Sequence, residues 1–454
     1  MPAPGPRGAE KPRTAPTVRA FVHLRLVSTH DDLTFAVLDP QAEDPRTTEL
    51  LAGWGKAVVR GFHQARMDET GHRLWLEATR ADRAVLRGAW PARTTVGSAT
   101  VPVATFCSFD KELNVGGGHL LPLRMITDVT VSPTHRRRGL LRSLMTADLA
   151  DAAERGVPVA ALTATEGSIY ARFGFGAATW RQQVLVDTDA RFALRKPVGP
   201  GSVELVEPGE AWPVIRAVYD RHLAQVRGAC GRPENYEAML TARYDWEERG
   251  PDHKMWTAIH LDASGTPDGY VCYGPVGEVA GRPTLQVSDL VALDPAAHLG
   301  LWRYLADVDL ADQVRHRTAV DDPLPWALVD PRVVRATGTS DLLWVRVLDV
   351  PVALAARPWW AEGEVVLEVD DALGHAAGRW RVRARDGHAQ VTADPDGTAP
   401  AVRLDAAALG SLYLGGVSVG TLHAAGRLEG PADAVATLAA LADGGPAPYC
   451  STAF

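Results

Sequence analysis

Three consecutive arginines and a glycine, Arg136 to Gly139, stand between a β-branched segment and an apolar segment with helical spacing. Backbone N–H groups in the first turn of a helix have no intrahelical partner, and the helix dipole favours negative charge there. Glycine lets the backbone approach a ligand closely, and arginine adds charge-assisted hydrogen bonds to phosphate. The segment R-R-R-G-L-L (136–141) therefore predicts a cradle for a pyrophosphate, and a solvated basic turn is the alternative interpretation.

Other kinds of site find little support in the sequence. The arginine loop lacks the Gly-Lys-Ser/Thr of a Walker loop and the G-x-G-x-x-G of a dinucleotide fold, and there is no H-E-x-x-H. The four cysteines are far apart along the chain: Cys107, Cys230, Cys272 and Cys450. Their spacing indicates a reducing compartment and predicts no disulfide framework and no bound metal.

The cradle needs a strand before it and a helix after it. L-P-L-R-M-I-T-D-V-T-V (121–131) has the β-branched residues of a strand, and residues 140–153 have the apolar spacing of an amphipathic helix. V-A-T-F-C-S-F (103–109) and V-A-A-L-T-A (159–164) predict further strands. Strands that alternate with helices indicate an α/β layer over residues 19–180.

A second segment, residues 181–338, echoes the first. I-T-D-V-T-V-S-P-T-H-R-R-R-G-L-L-R-S-L (126–144) aligns with V-S-D-L-V-A-L-D-P-A-A-H-L-G-L-W-R-Y-L (287–305). Both read as strand, aspartate, strand, proline, loop, glycine and helix, but the second copy has A-A-H-L in place of the arginines. This pattern predicts a duplicated domain that kept its fold and lost its anion site. Chance similarity of two strand–loop–helix units is the alternative.

The last segment, residues 339–454, predicts a third domain with strands and helices. L-L-W-V-R-V-L-D-V-P-V-A-L-A-A-R (342–357) predicts a strand that leads into a short helix near Pro351, where a first-turn proline is acceptable. V-V-L-E-V-D-D (365–371) and R-W-R-V-R-A (379–384) alternate like paired strands.

Composition limits the class of protein. The chain has 454 residues, 46% of them hydrophobic and 22% charged, which suits a globular protein of about two to four domains. A formal net charge of −8 argues against a nucleic-acid partner. The proline-rich residues 1–18 predict a disordered tail rather than a signal peptide. No apolar run approaches the roughly 18 residues of a membrane helix, so we expect a cytoplasmic protein without a membrane partner.

The flanks of the arginine loop resemble motif A of the GNAT acetyltransferase superfamily. That motif, Arg/Gln-x-x-Gly-x-Gly/Ala, binds the pyrophosphate of acetyl-CoA, and here Leu141 occupies its sixth position. In the superfamily a tyrosine in Y-x-x-x-G-F commonly lies beside the coenzyme sulfur, and Tyr170 to Phe175 match this pattern. A phenol with a pKa near 10 is protonated at neutral pH and can return a proton to a leaving thiolate. Tyr170 is therefore the expected acid, and a half-buried packing tyrosine is the alternative.

Longer stretches resemble the enhanced intracellular survival (Eis) family of bacterial N-acetyltransferases. They are S-P-T-H-R-R-R-G-L-L-R (132–142), E-G-S-I-Y-A-R-F-G-F-G (166–176), D-P-L-P (322–325), L-W-V-R-V-L-D-V-P-V-A-L (343–354), L-G-S-L-Y-L-G-G (409–416) and T-L-H-A-A-G-R-L (421–428). The resemblance implies a catalytic GNAT domain over 19–180, a degenerate GNAT-like domain over 181–338 and a sterol-carrier-protein-like α+β domain over 339–454. It also implies a homohexamer that acetylates aminoglycosides at several amines, or lysine side chains in some cases.

The same resemblance implies the residues of the site. Contacts with acetyl-CoA carry over to Val129, Thr130, Val131, Arg137, Arg138, Gly139, Leu140, Leu141, Arg142, Thr165 and Glu166. The base of the family is the carboxylate of the C-terminal residue, here Phe454. Because an unperturbed C-terminal pKa of about 3.5 makes a weak base, burial must raise this pKa, or the carboxylate acts mainly by orienting the amine or a water.

These assignments predict direct acetyl transfer. An uncharged amine attacks the thioester carbonyl, the Phe454 carboxylate assists removal of the amine proton, and Tyr170 protonates the departing sulfur. No covalent enzyme intermediate is required. The expected acceptors are aminoglycosides, and protein lysines or polyamines are the alternative. The rival class is a protein that holds acetyl-CoA or lipid on this scaffold without catalysis.

Six residues of the N-terminal third are candidates for the acceptor pocket: Trp54, Phe62, His63, Trp75, Asp68 and Glu69. The aromatic residues could line the pocket, and the two acids could attract a cation. Spacing favours a core position for most of the aromatic residues and a solvated surface position for the acids.

Overall fold

The computed structural model describes residues 32–189 and 191–454, so the tail predicted at residues 1–18 lies outside the described residues. The chain forms two seven-stranded sheets and one five-stranded sheet, with helices packed against them. None of the helices in the described part of the chain is long and apolar enough to cross a membrane.

The helices and strands follow one another in three groups. The first group is β1 (Leu33–Leu38), α1 (Pro45–Gly61), α2 (Glu69–Ala81), β2 (Val85–Pro91), β3 (Ala104–Asn114), β4 (Leu120–Val131), α3 (Leu140–Glu154), β5 (Val159–Thr163), α4 (Gly167–Tyr170), β6 (Gly176–Ala177) and β7 (Trp180–Asp187). The second is β8 (Ser202–Val206), α5 (Pro208–Gln225), α6 (Asn235–Leu240), β9 (Trp256–Leu261), β10 (Pro267–Val279), β11 (Arg282–Ala292), α7 (Pro295–Ala306), β12 (Gln313–Ala319), α8 (Leu324–Ala327), β13 (Val334–Asp341) and β14 (Leu343–Val347). The third is α9 (Val350–Ala356), β15 (Gly363–Asp370), β16 (Gly378–Arg385), β17 (His388–Ala393), β18 (Ala401–Asp405), α10 (Ala406–Tyr413), α11 (Val419–Ala424), β19 (Leu428–Glu429) and α12 (Ala432–Ala442).

The first sheet, ordered β1-β2-β3-β4-β5-β14-β6, opens between its two parallel strands. β4 and β5 pair only from Leu123–Val159 to Ile126–Leu162. Beyond Ile126 a bulge interrupts the pairing of β4 with β3, and Asp128 within it has a φ of 52°. Because an extra residue bends a strand, β4 turns away from β5 at this point and a cleft begins there.

The second sheet, ordered β13-β7-β12-β11-β10-β9-β8, repeats this arrangement. β11 pairs in parallel with β12 only over Thr284–Gln286 and carries a bulge opposite Cys272 and Tyr273. It then leads into α7, as β4 leads into α3. The two aligned segments, 126–144 and 287–305, therefore occupy equivalent places in two similar sheets, as a duplication predicts.

The structure differs from the sequence-based boundary at residue 339. β14 was assigned to the third domain, but it pairs with β5 and β6 and is an inner strand of the first sheet. Its residues Leu343, Val345 and Val347 are almost completely buried. The remaining strands of the third domain form their own sheet, ordered β17-β16-β15-β18-β19.

Helix α10 of the third domain packs directly against the backbone of the first sheet. An ideal Cβ built on Gly410 of α10 lies 2.1 Å from the carbonyl oxygen of Val345. A Cβ on Gly176 of β6 lies 1.9 Å from the carbonyl oxygen of Ala407. Helix and sheet backbones touch here because neither glycine has a side chain.

The Gly410→Ala variant is expected to be less stable by about 1–3 kcal/mol, because the added methyl group forces α10 away from β14. Gly209→Ala is the matched control, since Gly209 is also helical and its ideal Cβ has no atom within 4 Å. Thermal unfolding should show a lower Tm for Gly410→Ala and an unchanged or slightly higher Tm for Gly209→Ala. Equal Tm values for the two variants would contradict this close packing.

Candidate active site

The arginine loop lies at the N-terminus of α3, as predicted. Gly139 is the N-cap residue with a φ of 75°, and no side chain caps the helix. The first-turn N–H groups therefore lack a side-chain acceptor. An ideal Cβ on Gly139 has no atom within 4 Å, so the space beside this residue is open. The arrangement fits a phosphate group.

The arginines of the loop have different surroundings. Arg137 is exposed and has a φ of 62°, a left-handed conformation that is uncommon outside glycine. Arg138 forms an ion pair with Asp32 at 2.5 Å, and the hydrogen bond between them raises the pKa of Arg138 and lowers that of Asp32. Arg142 is exposed in the first turn of α3. The loop thus places positive charge around the open helix terminus.

The equivalent helix of the second repeat cannot bind an anion in this way. Asp294 is the N-cap residue of α7, and its carboxylate accepts a hydrogen bond from the N–H of Ala297 at 2.9 Å. A carboxylate of the chain thus occupies the position where an external anion would bind. The second repeat therefore lacks both the uncapped helix terminus and the arginines of the first repeat.

A buried ionic cluster attaches α3 to the sheet behind the cradle. Asp148 of α3 binds Arg87 and accepts a hydrogen bond from Ser108 at 2.6 Å. Arg124 of β4, which is fully buried, binds Asp151 of α3 at 3.0 Å. Removal of one partner of such a pair leaves an uncompensated buried charge. The cluster therefore fixes the cradle relative to β4.

The end of β4 contacts strand β3 and a hydrophobic cluster. The Thr105 hydroxyl donates to the carbonyl oxygen of Asp128 at 2.7 Å and lies 2.7 Å from the hydroxyl of Thr130. Val129 and Val131 pack against the hydrophobic cluster that contains Tyr170. Residues 129–131 are half-buried, and of these Thr130 and Val131 pair with β3 while Val129 lies in the bulge.

Tyr170 lies at the end of α4, close after the exposed residues Thr165 and Glu166. Its side chain is 8% exposed and contacts the ring of Phe175 edge-on, with 6.5 Å between ring centroids. Burial, with a smaller effect of Glu166, raises the pKa of Tyr170. A higher pKa keeps the phenol protonated at neutral pH, as a proton donor requires.

Phe454, the last residue of the sequence, lies beside the end of β5. The Thr163 hydroxyl donates to a carboxyl oxygen of Phe454, and the N–H of Phe454 points back to the same hydroxyl at 3.4 Å. The Phe454 ring is partly buried against a hydrophobic cluster. Since Thr163 is the residue of β5 just beyond the last pair with β4, the terminal carboxyl lies at the opening of the cleft.

Phe454 and the bulge of β4 line one cavity of about 210 Å³, together with residues of α1, α2 and the second repeat. Asp128 is half-buried there, and burial raises its pKa to about 6. Asp82 lines the same cavity but is paired with Lys111 at 2.7 Å. Among the described residues no cation pairs with Asp128 or with the Phe454 carboxyl. Arg249 also lines the cavity, but its guanidinium donates a hydrogen bond to Gln64. Within the described part of the chain, the cavity therefore presents two carboxyl groups without an ion-pair partner.

Of the six pocket candidates named from the sequence, Trp75 lines the cavity. Trp54 is fully buried, stacks on Trp75 at 5.7 Å and donates to the carbonyl oxygen of Arg87 at 3.0 Å. Asp68 caps α2 by accepting a hydrogen bond from Gly71 at 2.7 Å. The remaining three are exposed: Phe62, His63 and Glu69. Asp128 was missed, although its place in I-T-D-V-T-V, directly before the cradle, was the available signal.

Comparison with known families identifies the class of these domains. Models of the acetyltransferase (GNAT) domain match residues 97–178 and 228–347, and a model of the sterol carrier protein domain matches residues 350–451. The protein is therefore an acetyltransferase with two GNAT domains and a sterol-carrier-type domain, which confirms the predicted fold class. The GNAT fold implies acetyl-CoA as the co-substrate, and the open cradle fits its pyrophosphate.

Individual relatives narrow the assignment. The chain is 38% identical over 364 residues to the N-acetyltransferase Eis of Mycobacterium tuberculosis, which covers 78% of this chain and 85% of that protein. It is also 38% identical over 428 residues to an uncharacterized N-acetyltransferase of Streptomyces griseus. This match covers 90% of this chain and 98% of that protein. The crystal structure of Eis1 from Mycobacterium abscessus matches the structure of this chain with a TM-score of 0.76 and a sequence identity of 30%. The match covers 93% of this chain and 100% of that chain. The chain belongs to the Eis family of N-acetyltransferases.

The Asp128→Asn variant should be more stable than the wild type at neutral pH. Burial raises the pKa of Asp128 from 3.8 to about 6, so the wild type loses stability as the pH rises from about 4 through about 6. The gain from Asn should reach about 1–3 kcal/mol at pH 7.5 and disappear near pH 4. Denaturant unfolding at the two pH values measures it, with the exposed Asp396→Asn as the control. A gain that is equal at both pH values would contradict a raised pKa.

Proposed function

We propose that the protein transfers the acetyl group of acetyl-CoA directly to a primary amine of a polycationic acceptor, with aminoglycosides as the first class to test. The observation that carries the proposal is the pair of carboxyl groups without an ion-pair partner among the described residues, Asp128 and the Phe454 terminus, on one cavity. Carboxylates that no protein cation pairs with attract cationic ligands into a cleft. The names of the Eis relatives support acetyl transfer to nitrogen.

The proposed site has two groups of residues, one that binds the coenzyme and one that transfers protons. Arg137, Gly139 and Arg142 would hold the pyrophosphate, and residues 129–131 would bind the pantetheine arm through their backbone. When bound, acetyl-CoA supplies the thioester carbonyl that an uncharged amine attacks.

In the proton-transfer group, the Phe454 carboxyl, held by the Thr163 hydroxyl, receives the amine proton directly or through a water. The Tyr170 hydroxyl holds the proton that the departing thiolate needs. Each transfer thus removes one proton from nitrogen and delivers one to sulfur. The four cysteines are all buried, and this route requires none of them.

A specific observation favours a second class of acceptor, a protein lysine or a polyamine. The cavity of about 210 Å³ is smaller than the roughly 300–1,000 Å³ of most ligand pockets, and Trp75 gives it an apolar wall. A narrow cavity with an apolar wall and an acidic end suits an alkylammonium chain. The homohexamer and the cytoplasmic location implied by the family resemblance stay predictions, which sedimentation and cell fractionation can test.

The Arg137→Gly variant is expected to bind coenzyme A about 10-fold to 100-fold more weakly, because a charge-assisted hydrogen bond to phosphate is lost. Glycine keeps the left-handed backbone at this position, so the change isolates the side chain. Arg83→Gly is the matched control, since Arg83 is exposed, has a φ of 51° and lies outside the cradle. Titration calorimetry with coenzyme A measures both. Equal affinity in the two variants would remove Arg137 from the coenzyme site.

The proposed chemistry predicts that Tyr170→Phe and deletion of Phe454 each lower kcat by at least about 100-fold, the usual range for general acid–base groups. The measurement is coenzyme A release with acetyl-CoA and a panel of an aminoglycoside, a polyamine and a lysine peptide. Coenzyme A affinity should stay unchanged, because the cradle is intact in both variants.

The acceptor panel separates the competing functions. Turnover with the aminoglycoside that falls in both variants supports the first proposal. Turnover with the polyamine or the lysine peptide alone keeps the chemistry and assigns the second acceptor class. Coenzyme A binding without turnover on any amine would instead support a protein that holds acetyl-CoA without catalysis.

A further inference from the structure

We infer that the second GNAT domain positions the terminal carboxyl of Phe454 in the active site of the first domain, through Tyr236 and Tyr219. These two phenols are in turn fixed by the buried ion pair of Arg232 with Asp289. The inference rests on the proposed role of Phe454 and extends it to residues of another domain. Tyr236, Tyr219, Arg232 and Asp289 are positioning residues in this account, since they act through the chain terminus.

Tyr236 binds the residue next to the terminus twice. Its hydroxyl donates to the carbonyl oxygen of Ala453 at 3.2 Å and accepts a hydrogen bond from the N–H of the same residue at 2.9 Å. One side chain thus satisfies both backbone groups of Ala453. A chain terminus is ordinarily frayed and solvated, so these bonds remove freedom that the carboxyl group would otherwise have.

Tyr219 holds the preceding residue. Its hydroxyl donates to the carbonyl oxygen of Cys230 at 2.7 Å and lies 2.6 Å from the hydroxyl of Thr452. Because the Tyr219 proton is used on Cys230, the Thr452 hydroxyl donates to Tyr219. Thr452 is completely buried. Two successive residues before Phe454 are therefore attached to two phenols of the second domain.

Arg232 fixes the planes of the two phenols. Its guanidinium carbon lies 3.6 Å from the ring centroid of Tyr219 and 4.8 Å from that of Tyr236, in range of cation–π contact. The guanidinium binds Asp289 at 2.7 Å and the hydroxyl of Tyr270 at 2.7 Å. The side chains of Arg232 and Asp289 are 7% and 6% exposed. The pair is thus a buried support for both rings.

Asp289, the ion-pair partner of Arg232, is at the position of the second repeat that is equivalent to Asp128 of the first. It is the aspartate of V-S-D-L-V-A-L and aligns with Asp128 of I-T-D-V-T-V. Asp128 lies within the bulge of the strand that leads into the helix of its repeat, and Asp289 lies next to the bulge of the equivalent strand. Asp128 faces the cavity without a partner cation among the described residues, whereas Asp289 binds Arg232 of its own domain. The second copy therefore uses for support the position that the first copy uses to face a ligand.

The first domain completes the attachment at Thr163, so Phe454 is held by one domain and its preceding residues by another. A misplacement of about 1 Å in a group that reacts with substrate can lower the rate about 100-fold. Tyr236→Phe tests the inference because it keeps the ring above Arg232 and removes the hydroxyl that binds Ala453. We expect kcat to fall at least about tenfold, with KM for acetyl-CoA unchanged.

The matched control is Tyr273→Phe. Tyr273 is a buried tyrosine of the same domain whose hydroxyl lies 2.7 Å from that of Tyr304, and it has no contact with the chain terminus. Its kcat should equal that of the wild type. Thr452→Val is a second variant on the terminal segment, since it removes the bond to Tyr219, and it should lower kcat in the same direction. Thermal unfolding confirms that each variant is folded.

A readout without turnover separates positioning from catalysis. Carboxypeptidase A releases C-terminal aromatic residues, so free phenylalanine should appear faster from Tyr236→Phe than from the wild type or Tyr273→Phe. In a variant that also lacks Phe454, Tyr236→Phe should lower kcat no further than the deletion alone.

The outcomes distinguish the inference from the proposed function. Unchanged phenylalanine release together with unchanged kcat in Tyr236→Phe would overturn the positioning role. A further loss of kcat when Tyr236→Phe is added to the Phe454 deletion would also overturn it, because the effect would then bypass the terminus. Faster release with an unchanged kcat would support positioning and overturn the catalytic role of Phe454 instead.

Discussion

β4 and β5 stop sharing ladder hydrogen bonds beyond Ile126 and Leu162, and the whole site depends on this separation. A continuous parallel ladder would occupy the backbone groups at the ends of both strands and leave no cleft between them. The bulge at Asp128 keeps the strands apart, because a left-handed residue cannot continue regular pairing. The same bulge aims one carboxyl group into the cavity, and Thr163 on the opposite strand binds the other.

Duplication explains why one site needs two similar domains. Both repeats kept the separated strands, the bulge and the following helix, since these features depend on backbone pairing and burial. In the second repeat, Asp294 caps the equivalent helix from within the chain. The buried ion pair of Arg232 with Asp289 lies in this second repeat and supports the tyrosines that bind the terminal segment. Loss of one binding site thus coincides with a structural role in another.

The sequence predicted the parts of the site that are local. The cradle, its helix and Tyr170 lie within one continuous stretch, and helix termini and glycine positions follow short-range rules. The sequence pattern assigns β14 to the third domain because its apolar residues indicate that it is buried but not which strand it pairs with. Asp128 was missed for a related reason, since a bulge depends on the register with a partner strand. The bonds of Tyr236 to Ala453 join residues far apart in sequence, and no local pattern predicts them.

The path of the terminal segment connects all three domains. The segment leaves α12 in the third domain, and Arg227 of the second domain binds the carbonyl oxygen of Gly444 at 2.9 Å. The N–H of Tyr449 then donates to the carbonyl oxygen of Arg227 at 2.8 Å, before the chain reaches Tyr236 and Thr163. A chain cut after β14 would keep the complete first sheet and the cradle but lose the terminal carboxyl. The cradle and the terminal carboxyl therefore belong to different domains, and the packing of the domains attaches the carboxyl to the first sheet at Thr163.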